Sequence, residues 1–112
     1  MAERYSRRQN TDWWEVQLNK ITDGGEELRA KRDFRQFDDL RDHRRRIDDW
    51  LERAASCIHR IYENQGLGAE YCPPLPEIDL EDISWLEAIR LFGDSISERI
   101  EALKELISKT DR

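Results

Sequence analysis

One heptad seam limits what this chain can become more than any other feature. Phe37, Leu40, Arg44, Ile47, Leu51, Ala54, Ile58 and Ile61 follow one another at alternating steps of three and four residues, and all but Arg44 are apolar. Steps that average about 3.5 residues keep one stripe of an α-helix turned toward neighbouring helices. A second register runs through Leu86, Ile89, Gly93, Ile96, Ile100, Leu103 and Ile107. The chain is therefore expected to be all-α, a single domain built by laying helices side by side.

Punctuation in the sequence sets the expected boundaries. Residues 1–10 are polar, with no apolar period, and read as a flexible arm. Thr11 or Asp12 can cap a short helix over 12–22, with Glu15 placed as in a capping box. Trp14, Leu18 and Ile21 share one face of it, widened by Trp13 and Val16. Asp23-Gly24-Gly25 reads as a turn. A long helix over 25–63 follows, roughly 55–60 Å at about 1.5 Å per residue. Asn64-Gln65-Gly66 stops it, with Gly66 or Gly68 suited to a left-handed cap.

Pro73, Pro74 and Pro76 keep a 64–78 loop extended. A C-terminal helix is expected over 79–109, capped by Asp79, with Ser84 and Glu87 as a second possible start. Its acids gather at the start, and Lys104, Lys109 and Arg112 near the end, which suits the helix dipole. Gly93 sits on the seam, either to admit a close neighbour or as a tolerated glycine. A loop short relative to both rods predicts a long antiparallel helical hairpin with the short N-terminal helix beside it. Aromatic edges left over by that arrangement predict dimerisation into a larger bundle.

Charge narrows the function classes. Charged residues make up 39% of the chain, against about a quarter in an average globular protein, so the surplus belongs on long solvated faces. The net charge is -6. Residues 26–49 hold eight acids and eight bases, while 77–112 hold ten acids against five bases. That balance disfavours a nucleic-acid surface as the default, because phosphate contacts need clustered cations. Cys57 and Cys72 match no zinc or redox spacing and read as free thiols in a reducing cytoplasm. No stretch is apolar enough to address a membrane.

Chemistry-bearing patterns are sparse. Asp39/Asp42, Asp49/Glu52 and Glu98/Glu101 are carboxylates three apart, the spacing with which all-helical, magnesium-dependent nucleotide hydrolases hold their cation. In a chain with 25 acids such pairs also arise by chance as surface charge. His43 and His59 lack a convincing third ligand and read as surface or half-buried histidines; Cys57 and His59 point apart on a helix and form no dyad. No catalytic residue, metal site or cofactor is expected.

Arg41, Arg44, Arg45 and Arg46 could meet phosphates, but Asp38, Asp42, Asp48 and Asp49 lie within a turn and offer ion pairs. Arg44, on the seam, is expected to pair with a carboxylate of a facing helix. Trp13, Trp14, Trp50, Tyr62, Trp85 and Phe92 complete the expected interaction residues, as aromatic anchors at seam edges. The functional expectation is a non-enzymatic protein–protein interaction module: an assembly subunit, adaptor or protein inhibitor, forming a homodimer or binding a protein partner. A nucleic-acid-associated helical subunit using Arg41, Arg44, Arg45 and Arg46 is the alternative.

Overall fold

The computed structural model describes residues 13–31, 33–63 and 65–109, so the arm at 1–10 and the Thr11/Asp12 cap lie outside the described residues. Every regular element among the described residues is helical: α1 (Trp13–Ala30), α2 (Phe37–Tyr62), α3 (Gln65–Tyr71) and α4 (Trp85–Lys109). The molecule measures 46 × 21 × 19 Å, a rod not much longer than α2 itself.

The break expected at Asp23-Gly24-Gly25 does not occur. Helix α1 runs through both glycines to Ala30 and α2 starts at Phe37, so the 12–22 and 25–63 helices become 13–30 and 37–62. The reason lies in α2. The Trp50 indole rests on α1 at Gly25, where a Cβ would stand 2.4 Å from its Cζ2 carbon. Its Nε1–H donates to the Ile21 carbonyl at 2.8 Å. Gly25 serves a close helix approach, and no glycine among the described residues takes a positive φ.

Helix α2 begins where the Asp39 side chain reaches back to the backbone that leads into it, as in a capping box. The Arg35 and Gln36 N–H groups donate to its carboxylate at 2.7 and 3.1 Å, holding Asp39 below the usual carboxylate range. Six seam residues of α2, Leu40, Ile47, Leu51, Ala54, Ile58 and Ile61, are buried as the heptad requires. The helix ends on Glu63 in the left-handed region (φ 54°), not on a glycine. Gly68 has a different use: a Cβ there would meet the Ala55 carbonyl oxygen at 2.8 Å, so its absence lets α3 fold back against α2.

Helix α1 is antiparallel to α2, with Trp13 beside Arg60 and Gly25 under Trp50. It is also antiparallel to α4: Arg29 reaches Ser97, while Lys31 and Phe34 border a cleft with Ile89 and Gly93. Helices α2 and α4 therefore run in the same direction, and the expected hairpin between them is replaced by a crossover. The crossover is residues 72–84. Fully extended, about 13 residues reach roughly 40 Å, enough to return along the length of α2. Pro73, Pro74 and Pro76 favour extension, and Leu75, Ile78, Leu80 and Ile83 pack the segment onto the core as a strap. Arg41 on α2 meets Glu81 near the strap's end at 3.8 Å.

Asp79 does not start α4; its carboxylate caps a turn by accepting the Glu81 N–H. The helix starts at Trp85, with the Ser84 hydroxyl accepting the Glu87 N–H, which is the second of the two expected starts. Its buried face is rotated from the expected register. Ala88 and Phe92 turn inward, while Leu86 stands 78% exposed. At Gly93 a Cβ would meet nothing within 4 Å, so that glycine is tolerated and admits no close neighbour.

His43 is buried, deeper than the surface or half-buried position expected, with its ring edge-on to Phe34 and Phe92 at 5.0 and 5.7 Å. Its Nδ1 has no hydrogen-bond partner. Burial first, then the Lys31 and Arg46 charges, depress its pKa to about 4, with only Asp42 acting the other way. An unfolded histidine titrates near 6.5. The stability held by the neutral ring is therefore complete above about pH 6.5 and is lost as pH falls toward about 4, up to roughly 3 kcal/mol. We expect His43→Phe to remove this part of the acid sensitivity. Denaturant titrations of both proteins at pH 7 and 4.5 should show it; an unchanged pH dependence in the variant would refute the assignment.

Candidate docking groove

The residues expected at seam edges part company in the fold. Trp14, Trp50 and Phe92 are buried in the core, and Trp13, Tyr62 and Trp85 are half-buried against it. A monomer thus hides most of the apolar surface that was expected to be left over. The longer α1, the short α3 and the strap provide cover that an isolated hairpin would lack. Val16 and Leu86 are the large apolar side chains that stay exposed among the described residues.

Arg44 does not pair across the seam. It bonds Asp48 on its own helix at 3.1 Å, while the seam position beside it is closed by buried His43. Arg45 and Arg46 both pair with Asp42, and Arg41 lies over the Phe37 ring at 4.8 Å as well as near Glu81. The Arg41–Arg46 strip is thus a set of mostly neutralised cations on a solvated face.

Several members of the carboxylate pairs are spent on local work. Asp39 caps α2, Asp42 binds its two arginines, and Glu101 lies 3.9 Å from Lys104. Among the described residues no group of three His, Cys, Asp or Glu side chains is placed to hold a cation. Burial pushes the Cys57 thiol up, and that of Cys72 up to about 12, so neither is a ready thiolate. No described helix is long and apolar enough to cross a membrane.

What the fold does build is an open groove along α1 and α2. From α1 it is lined by Gln17, Ile21, Gly24 and Leu28, with Lys31 just past the helix end. From α2 it takes Arg46, Asp49, Arg53, Ser56 and Arg60, with Glu63 at its C-terminal cap. Within each wall these residues follow alternating steps of three and four, the spacing of a helix-accepting seam, with Glu27, Glu52, Cys57 and His59 flanking them. It is a second seam, displaced around α2 from the core seam and polar where that one is apolar. Its spacing is present in the sequence, but an apolar criterion passes over it.

The groove's charges are balanced, with Lys31, Arg46, Arg53 and Arg60 set against Glu27, Asp49, Glu52 and Glu63. Arg60 lies over the Trp13 ring at 5.6 Å, and Arg46 holds Asp42 at 2.9 Å. Asp49, Glu52 and Arg53 make no ion pair among the described residues, although Asp49 and Arg53 are spaced for one. Ile21 and Leu28 add apolar surface on the α1 wall. Comparison with protein-family models, characterised proteins and solved structures found no match.

Proposed function

We propose that this protein is a non-enzymatic helical interaction module of the cytoplasm, acting as an assembly subunit, adaptor or protein inhibitor, and that it docks another polypeptide helix in the α1/α2 groove. The observation that supports this reading is the groove's construction. Two antiparallel helices present seam-spaced side chains to open solvent, and the central charges Asp49, Glu52 and Arg53 lack partners among the described residues. Mixed charges over a partly apolar wall favour one complementary polypeptide over nonspecific adhesion. The neutralised Arg41–Arg46 strip adds little support to the nucleic-acid alternative.

A photo-reactive side chain placed at Arg53 tests the reading, with one at exposed Lys104 as control. In cell extract, the Arg53 position is expected to cross-link a polypeptide and the Lys104 position is not. Cross-linking from neither position, or equally from both, would remove the groove as the docking surface.

A further inference from the structure

We propose that the groove's occupant is a second copy of this chain, with the two α2 helices antiparallel about a two-fold axis. This rests on the docking reading above and goes further by naming the partner. The stripe on α2 consists of two interleaved rows. Arg46, Arg53 and Arg60 recur every seven residues, and Asp49, Ser56 and Glu63 recur every seven residues three positions later.

When two copies of one helix pack antiparallel, each row faces the other row of its partner. Centred between Ala54 and Ala55, Arg46 meets the copy's Glu63, Asp49 meets its Arg60, and Arg53 meets its Ser56; the same contacts recur on the other side of the axis. Every layer then sets an arginine against a carboxylate or a hydroxyl. Parallel packing would place Arg53 on Arg53 and Asp49 on Asp49, so the charge pattern rejects that arrangement as well as favouring the first. Asp49 and Arg53, which make no ion pair among the described residues, both gain partners. Ile21 and Leu28 on the α1 wall give the copy's α2 an apolar flank beside the charged layers. A seam this polar makes an association that is reversible and sensitive to salt.

Sedimentation velocity of the full chain, from tens of micromolar to about a millimolar in low salt, is expected to show a monomer–dimer equilibrium. Asp49→Arg and Arg60→Glu should each weaken it at least about tenfold, since each creates two like-charge contacts. Mixing the two variants should restore dimer. In the mixed pair the arginine introduced in one chain faces the glutamate introduced in the other, and the native Arg60 of the first chain faces the native Asp49 of the second.

A second measurement does not depend on Arg60, which also covers Trp13. In a mixture of Arg53→Cys and Ser56→Cys chains, mild oxidation should join unlike chains in preference to like ones. A wild type that stays monomeric throughout, charge reversals without effect, or like-with-like cross-links would each overturn the proposal. If the chain is monomeric while the probe at Arg53 still captures a different polypeptide, self-pairing falls and the docking groove stands.

Discussion

Gly25→Ala will lower the melting temperature by about 10 °C, whereas Gly24→Ala will leave it level or raise it by a few degrees. The two glycines are adjacent in one helix, and alanine at either position gains up to about 1 kcal/mol of helix propensity. What separates them is Trp50. At Gly24 a Cβ would lie 3.6 Å from the indole, an ordinary contact; at Gly25 it would lie 2.4 Å from Cζ2 and 2.9 Å from Cη2.

Those atoms belong to a buried ring anchored through Nε1 to the Ile21 carbonyl, so the indole has no free direction in which to yield. Separating α1 from α2 to make room costs about 3 kcal/mol as overpacking, leaving a net loss near 2 kcal/mol. Trp50→Phe shortens the ring, so combined with Gly25→Ala it should cost less than the sum of the single changes. Equal melting temperatures for the two alanine variants would mean that the indole does not press on Gly25.

The same pair of glycines shows what could and could not be read in the sequence. Locally, Asp23-Gly24-Gly25 has the composition of a turn. Its role is set by Trp50, far along the chain, and no short window centred on Gly25 contains that information. The α2 seam was legible because burial at Ile47, Leu51, Ala54, Ile58 and Ile61 follows from spacing alone. The face of α4 was legible only in part. Its register turns so that Phe92 enters the core beside His43 and Leu86 leaves it, and that turn depends on where the strap delivers the chain to Ser84.

The strap itself carried two signals that point different ways. Its prolines marked a loop, while Leu75, Ile78, Leu80 and Ile83 marked a packed segment, and only the second says that the loop crosses the bundle instead of closing a hairpin. The groove stripe was hidden for a related reason. Its 3-4 spacing is as regular as that of the core, but a search for apolar repeats ignores Arg46, Asp49, Arg53, Ser56, Arg60 and Glu63.

Arg99→Met will destabilise the protein by about 3 kcal/mol and will free the strap before the helices melt. Arg99 projects from α4 into the interior, and three carbonyl oxygens receive its guanidinium. Nε–H donates to Pro73 at 2.9 Å, Nη1–H to Ser95 at 2.9 Å and Nη2–H to Pro74 at 3.3 Å. Burial lowers its pKa, but arginine keeps its charge throughout the working range of pH. The nearest carboxylate, Glu98, is exposed and 4.0 Å away. The charge is therefore stabilised chiefly by carbonyl dipoles, two of which belong to the strap.

The dependence is mutual. Pro73 and Pro74 have no N–H, and the extended segment they begin has no neighbouring strand among the described residues, so Arg99 is what fixes its path at that point. Methionine fills similar volume without a donor, which separates the lost hydrogen bonds from a cavity effect. Arg99→Lys should recover only part of the loss, because one ammonium cannot reproduce the planar fork.

Limited digestion with a glutamate-specific protease provides the local readout. Cleavage at Glu77 and Glu81, inside the strap, should accelerate well before cleavage within α2 or α4. If Arg99→Met melts like the native chain and the strap resists cleavage as before, the guanidinium is not what ties the crossover down. In that case Leu75 and Ile83 must hold it by packing alone.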